Sequence, residues 1–247
     1  MAKNEEATQE QHTVQPVEAE TVVRVDHVSR VYHVGELEVK GLDDVSFDVK
    51  KGTLVALKGR SGSGKTTLLN MLGGLDQPTH GDVYLYGRPI SKLSNQQLTD
   101  LRRHKIGFVF QSFAIMPAFS AVENVELMLR IAGVWRGRRE RAMRCLEIVG
   151  LGAWAHHRPW EMSGGQQQRV AIARALSTHP TLILADEPTG ELDSANGRQI
   201  LALFRYIVEK EGVTVILATH DPMIEAYAHV VYELGDGRVN DVRLPQM

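Results

Sequence analysis

A glycine-rich run that ends in a lysine and a hydroxyl is the segment of this sequence best suited to chemistry. Gly59-Arg-Ser-Gly-Ser-Gly-Lys-Thr66 has the spacing of a phosphate-binding loop. Its glycines let backbone N–H groups converge on phosphate oxygens, Lys65 adds a positive charge, and the Thr66 hydroxyl is placed to bind Mg²⁺. The residues predicted to bind a nucleotide here are Gly59, Ser61, Gly62, Ser63, Gly64, Lys65, Thr66 and Thr67.

Two adjacent acids follow a later apolar stretch, in Leu184-Ala-Asp-Glu187. A buried strand that ends in acids puts them at the carboxyl edge of a sheet, where α/β folds bind ligands. Asp186 is predicted to hold Mg²⁺ through water, while Glu187 points to the other side of the strand and polarises an attacking water. Kinases, GTPases and many ATPases share a phosphate loop and an acidic strand, so these two motifs leave the reaction open.

The phosphate loop is predicted to lie between a strand at residues 53–57 and a helix that includes residues 67–72. Upstream of both, apolar residues alternate over 22–28 and 45–49. This alternation predicts half-exposed strands of an antiparallel sheet.

Helical periodicity dominates from about residue 91 to 175 and predicts a helical insertion. Parallel-strand signals return at 181–185 and 213–218, on either side of a helix predicted at about 196–210. The Asp-Gly pair at Asp236 predicts the turn of a closing hairpin. The core is therefore expected to be discontinuous in sequence.

Composition limits the classes of function. The chain has 247 residues, enough for one large α/β domain, and a formal net charge of -2, which gives no reason to expect a nucleic-acid partner. No stretch approaches the roughly 18 to 20 apolar residues of a membrane-spanning helix, and no secretory signal is evident. The single cysteine, Cys145, fits a reduced and packed thiol, which favours a cytosolic location.

One further motif decides among the phosphate-loop enzymes. Met162-Ser-Gly-Gly-Gln-Gln-Gln-Arg169 resembles the signature motif of ABC-transporter ATPases, which is usually written with Leu first. The rest of that family's pattern follows in order from about residue 22 to 239. The resemblance implies an α/β fold: a RecA-like P-loop NTPase core with an antiparallel β subdomain and a helical insertion subdomain.

On this division residues 1–20 form a disordered acidic tail and 21–247 the ABC ATPase domain. Its core covers about 21–90 and 171–247, and its helical subdomain about 91–170.

The resemblance also implies roles for single residues. Gln111 senses Mg²⁺ and couples the site to a membrane partner, Asp193 lies in a segment that crosses a dimer interface, and Tyr32 stacks on adenine. His220 contacts the γ-phosphate. The implied catalytic residues are Glu187, His220 and Lys65, and the implied metal-binding residues are Thr66, Gln111 and Asp186.

The cofactors implied are ATP and Mg²⁺, and the first partner implied is a second copy of the chain. Two copies close head to tail, so that Ser163, Gly165 and Gln166 of one complete the nucleotide site of the other. Separate transmembrane permease subunits are the second partner, and no nucleic acid is expected. This assembly implies a peripheral location on the cytoplasmic face of the cell membrane.

The segment after Gln111 and the motif around residues 185–190 look like the branch that contains macrolide-export, lipoprotein-release and cell-division ATPases, the MacB, LolD and FtsE types. Function in export, lipoprotein release or force transmission across the envelope is therefore expected. Two alternatives stay open: a soluble ABC ATPase of DNA repair or ribosome rescue, and a P-loop kinase.

Four apolar residues after Gln111, namely Phe113, Ile115, Met116 and Phe119, predict a docking groove for the permease. The alternative is that they fill the interface between the core and the helical insertion, and both can hold together.

Overall fold

The computed structural model describes residues 20–35 and 37–245. The strands are β1 (Thr21–Val34), β2 (Leu37–Lys50), β3 (Leu54–Lys58), β4 (His80–Leu85), β5 (Arg88–Pro89), β6 (Ile106–Val109), β7 (Leu182–Asp186), β8 (Thr214–Thr219), β9 (Val230–Gly235) and β10 (Arg238–Arg243). The helices are α1 (Lys65–Leu72), α2 (Asn95–His104), α3 (Ala121–Ile131), α4 (Arg138–Ile148), α5 (Gly164–Leu176) and α6 (Ser194–Glu211). The predicted acidic tail lies outside the described residues, apart from Glu20.

Two sheets organise the chain. The first is antiparallel, in the order β2-β1-β4-β5, and the second has the order β10-β9-β3-β8-β7-β6. In the second sheet β9, β3, β8, β7 and β6 run parallel, and only β10 is antiparallel to its neighbour. The predicted combination of an antiparallel N-terminal sheet with a parallel core is confirmed.

Both faces of the parallel sheet are covered, which explains why its strands read as unbroken apolar runs. In β3, Leu54 and Ala56 belong to an apolar cluster with α3, α4, α5 and α6. Val55 and Leu57 point the other way, into a cluster with α1 and the antiparallel sheet. The phosphate loop therefore leaves the sheet between two packed layers, which fix its position.

The prediction of helical structure from about residue 91 to 175 is wrong at β6. This strand pairs in parallel with β7, from Ile106 opposite Leu182 to Val109 opposite Ala185, and forms an edge of the core sheet. Four residues are too few to show strand periodicity against the surrounding helical pattern. Because α2 also packs Leu98 against the cluster around α1, we propose that the helical subdomain starts after β6 rather than near residue 91.

No helix in the described ranges is both long and apolar enough to cross a membrane.

Candidate nucleotide-binding site

The phosphate loop connects β3 to α1 and is held against the two strands beside it. The Gly59 backbone N–H donates to the carbonyl of Thr219 at the end of β8, at 3.2 Å. A Cβ on Gly59 would lie 2.4 Å from the carbonyl oxygen of Leu234 in β9. Gly62 and Gly64 have φ angles of +80° and +100°, a conformation that strongly favours glycine. Glycine is thus required at these positions by contact or by backbone conformation.

The start of α1 is suited to an anion. No side chain in the described chain caps this helix N-terminus, and its first turn contains no acid. Its first N–H groups and the helix dipole therefore favour negative charge. Lys65 is only 6% exposed; its Nζ donates to the carbonyls of Gly59 (2.8 Å) and Arg60 (3.1 Å), and lies 3.4 Å from Glu187 Oε1. A positive charge, a helix N-terminus and a glycine loop meet here, and this combination fits a phosphate.

Thr66 and Asp186 form a pair of hard oxygen donors. The Thr66 hydroxyl donates to Asp186 Oδ1 at 3.2 Å. Burial raises the pKa of Asp186 above its ordinary value, and the neighbouring Glu187 carboxylate adds to the shift. A cation would offset both effects. Hard oxygen donors of this kind suit a Mg²⁺ ion that also binds substrate phosphates. Within the described ranges there is no cluster of three or more His, Cys, Asp or Glu residues that could hold a metal.

Glu187 has an unusual backbone conformation. Its φ is +45°, although residues before a proline normally stay extended, and Pro188 follows. The Glu187 N–H donates to the carbonyl of Ala218 at 2.9 Å, and the side-chain Oε2 lies 3.0 Å from His220 Nδ1. Strand alternation predicts that Glu187 points to the opposite side of the strand from Asp186. In the structure β7 ends at Asp186, and this left-handed turn determines the direction of Glu187.

A cavity of about 820 Å³ brings most of the predicted site residues together. The predicted residues that line it are Tyr32, Ser61, Gly62, Gly64, Lys65, Thr66, Thr67, Gln111, Asp186, Glu187 and His220. Gly59 and Ser63 belong to the same loop but do not line the cavity. Sequence reasoning missed four lining residues: Val39, Lys40, Gly41 and Arg60.

Tyr32 is held at the rim of this cavity by two residues that the sequence analysis did not identify. Its hydroxyl donates to Asp76 Oδ2 at 2.8 Å. The Arg30 guanidinium lies over the ring, 4.5 Å from the centroid, and also pairs with Asp76. A Cβ on Gly41 would lie 2.8 Å from the Tyr32 ring, so Gly41 packs directly against Tyr32 in this wall of the site.

The signature residues and Asp193 do not line the cavity; they lie together elsewhere on the same chain. Ser163 caps α5 in a reciprocal pair of hydrogen bonds with Gln166. Asp193 caps α6 by accepting from the Ala195 and Asn196 N–H groups. A Cβ on Gly165 would lie 2.9 Å from Asn196 Oδ1, so the two helix starts are in close contact.

The four apolar residues predicted to form a docking groove after Gln111 are partly buried and partly exposed. Ile115 packs against the large apolar cluster, and Phe113 is partly buried. Met116 and Phe119 are exposed at 48% and 39%. Met116 lines a second, apolar cavity of about 470 Å³ between β6, α2, α3 and α5.

Comparison with known proteins gives consistent matches. Residues 42–190 match the family model described as ABC transporter. An ABC transporter ATP-binding protein of Thermotoga maritima is 47% identical over 222 residues, which cover 90% of this chain and 94% of the relative. The corresponding protein MJ0796 of Methanocaldococcus jannaschii is 44% identical, with 88% and 95% covered.

One match is a dimeric structure, and another is a longer protein named for both ATP binding and a permease. The dimeric post-hydrolysis structure of the cassette MJ0796 bound to ADP and Pi has a TM-score of 0.82 and 42% identity, and covers 91% of this chain and 99% of that one. A macrolide export ATP-binding/permease protein MacB of Syntrophobacter fumaroxidans is 47% identical over 87% of this chain, which spans only 31% of that relative.

Proposed function

The chain belongs to the family of ABC transporter ATP-binding proteins, and on that premise we propose that it hydrolyses MgATP as half of a head-to-tail dimer that drives a separate membrane permease. The observation that carries this proposal is the division of the site. Lys65, Glu187 and His220 meet in one cavity, whereas Ser163 and Asp193 lie outside it, exposed at the starts of α5 and α6.

That division supports a site completed by a second copy. Ser163 and Gln166 form the N-terminus of α5, whose N–H groups and dipole favour an anion. In a head-to-tail pair this terminus meets the γ-phosphate that the partner's phosphate loop holds. The bridging phosphate then stabilises the closed dimer, and its loss on hydrolysis lets the dimer open. The structure of the similar cassette MJ0796 bound to ADP and Pi is dimeric, which supports pairing of two copies.

Hydrolysis needs a water aligned with the γ-phosphate and a group that takes its proton. Glu187 is 17% exposed and contacts both Lys65 and His220. We assign Glu187 as the general base, His220 as a residue that orients the water and contacts the phosphate, and Lys65 as the cation that stabilises charge on the phosphate oxygens. A positioned base contributes about 10² to 10⁴-fold to the rate.

Mg²⁺ would be held by Thr66 and Asp186, with Gln111 at the cavity wall as a further oxygen donor. When bound, the ion neutralises charge on the β- and γ-phosphates. Tyr32 supplies an aromatic face for the adenine, and Arg30 and Asp76 keep its ring in place.

The permease is proposed to dock in the apolar groove beside β6. The groove is lined mainly by apolar side chains: Leu75, Ile106, Phe108, Phe110, Met116, Leu127, Met128 and Ile131. Leu75, Met116 and Ile131 are about half exposed, and an amphipathic helix from a permease would cover them. The groove connects to the nucleotide site through the Gln111 segment, where the buried Arg174 guanidinium donates to the carbonyls of Phe113 and Ala114. A chain docked on a permease in this way would lie at the cytoplasmic surface of the membrane.

The test is purification of the tagged chain from its native membrane in mild detergent, with wild type compared to Ile131→Asp. Co-purification of a permease with the wild type but not with Ile131→Asp supports the groove. Tyr206→Asp is the matched control, because Tyr206 is similarly exposed, at 44% against 49%, but lies on α6 outside the groove. If the wild type hydrolysed ATP but no membrane protein co-purified with it, the assignment as an ATPase would stand and the proposed transporter role would be contradicted.

A further inference from the structure

Gln168 is a fully buried polar side chain that the proposed mechanism does not use. It lies in α5, five residues after Ser163, and has 0% exposure. Its Nε2 donates to the carbonyl of Pro188 at 2.8 Å. Its Oε1 is buried and has no hydrogen-bond partner among the described residues. Burying an amide that is only half satisfied costs free energy, so the single bond to Pro188 needs an explanation.

Pro188 follows Glu187 directly, in the tight turn that aims the proposed base. The Gly190 N–H donates to the Glu187 carbonyl at 3.0 Å, which closes the turn. Glu187 itself has a φ of +45°, and a residue in that region persists only where its surroundings hold it. The bond from Gln168 supplies one such constraint, because it holds the carbonyl of the Pro188–Thr189 peptide, one residue beyond the strained Glu187.

The same helix begins at the signature residues. A rigid helix connects Ser163, at its N-terminus, to Gln168 a turn and a half further on. We propose that Gln168 is a positioning residue for Glu187, which couples the seating of Ser163 on the partner's nucleotide to the alignment of the base in its own chain. The coupling half of this inference rests on the proposed head-to-tail dimer; the positioning half rests on the contacts within one chain.

Gln168→Met tests the inference, because methionine keeps the length and apolar volume but cannot donate to Pro188. We expect kcat for ATP to fall about 10- to 100-fold, as a misplaced catalytic group predicts, while KM for ATP changes less than about threefold. Gln167→Met is the matched control. The Gln167 side chain, like that of Gln168, donates to backbone carbonyls. Its acceptors are Pro159 and Met162, and it does not reach the catalytic turn. A wild-type kcat in Gln168→Met would overturn the inference.

Gln168→Glu provides a second readout, which decides the matter if Gln168→Met fails to fold. Burial raises the pKa of a carboxyl group, and only its protonated form can donate to the Pro188 carbonyl. The kcat of Gln168→Glu relative to wild type should therefore rise as the pH is lowered from about 8 to about 6. A ratio that does not change with pH contradicts a positioning role.

The assay of Glu187→Gln separates this inference from the proposed function. If Glu187→Gln keeps full turnover, the assignment of the base fails regardless of Gln168. If Glu187→Gln is inactive and Gln168→Met has wild-type kcat, only the present inference falls.

Discussion

Replacing Gly59 by alanine should damage the phosphate loop in a way that the structure quantifies. The added Cβ would lie 2.4 Å from the Leu234 carbonyl oxygen and 2.5 Å from Ser63 Oγ. Ordinary contacts begin near 3.4 Å, so the loop and β9 must separate by about 1 Å. The carbonyl belongs to a sheet strand and cannot rotate away. Overpacking of this kind costs about 1–3 kcal/mol, or a fall in Tm of about 2–12 °C for a chain of this length.

The same displacement should also reduce the catalytic efficiency. A shift of about 1 Å in a binding group costs about 100-fold in rate, so kcat/KM for ATP should fall by about that factor. Gly52→Ala is the control: Gly52 has a φ of +68° with no atom within 4 Å of the added Cβ, and lies in the turn before β3. It should lose a similar amount of stability, about 1–2 kcal/mol, and keep its nucleotide affinity.

Both variants would be measured by thermal unfolding, by steady-state ATPase kinetics and by titration with a fluorescent ATP analogue. If kcat/KM for ATP in Gly59→Ala lay within about threefold of that in Gly52→Ala, the reasoning that the glycine serves the phosphate site would be refuted.

Three further changes test the remaining residues. Lys65→Ala should lose nucleotide affinity itself, because Lys65 brings its charge to the cavity proposed to hold the phosphates; unaltered binding in equilibrium titration would count against the phosphate-loop assignment. Asp193→Ala should lower Tm, because hydrogen bonds from the Asn196 backbone and side chain hold the pKa of Asp193 below its ordinary value. A lowered pKa stabilises the fold above the ordinary carboxyl pKa, so the Tm difference should shrink as the pH falls through the acid range. Asp186→Asn should abolish ATPase activity yet have a Tm at neutral pH that matches or exceeds that of the wild type. The reason is that the pKa of Asp186 is raised in the folded state, so its ionisation lowers stability as the pH rises past the ordinary carboxyl pKa. A lower Tm at neutral pH would contradict this.

The parts of the candidate site that can be predicted from the sequence are those that depend on local pattern. The phosphate loop needs only glycine, lysine and hydroxyl at fixed spacing between a strand and a helix, and all of these are adjacent in the chain. The closing hairpin is similar: Asp236 and Gly237 both have positive φ angles, 50° and 76°, as the Asp-Gly pair suggested.

Contacts between distant segments could not be read in this way. Asp76 holds Tyr32 across 44 positions, and Gln168 reaches Pro188 across 20. Neither pair carries a periodicity or a motif of its own. The left-handed Glu187 also runs against the local rule, since a residue before proline is expected to be extended. Such departures from local preference are concentrated at functional sites, where the surrounding structure holds them.

The most direct test of the central claim, a nucleotide site completed by a second copy, is the molar mass of Glu187→Gln in solution. This variant should bind MgATP without turnover, so light scattering should show the molar mass doubling when MgATP is added. It should return to the monomer value when ADP replaces ATP. A monomer that is saturated with MgATP at all protein concentrations would contradict the account.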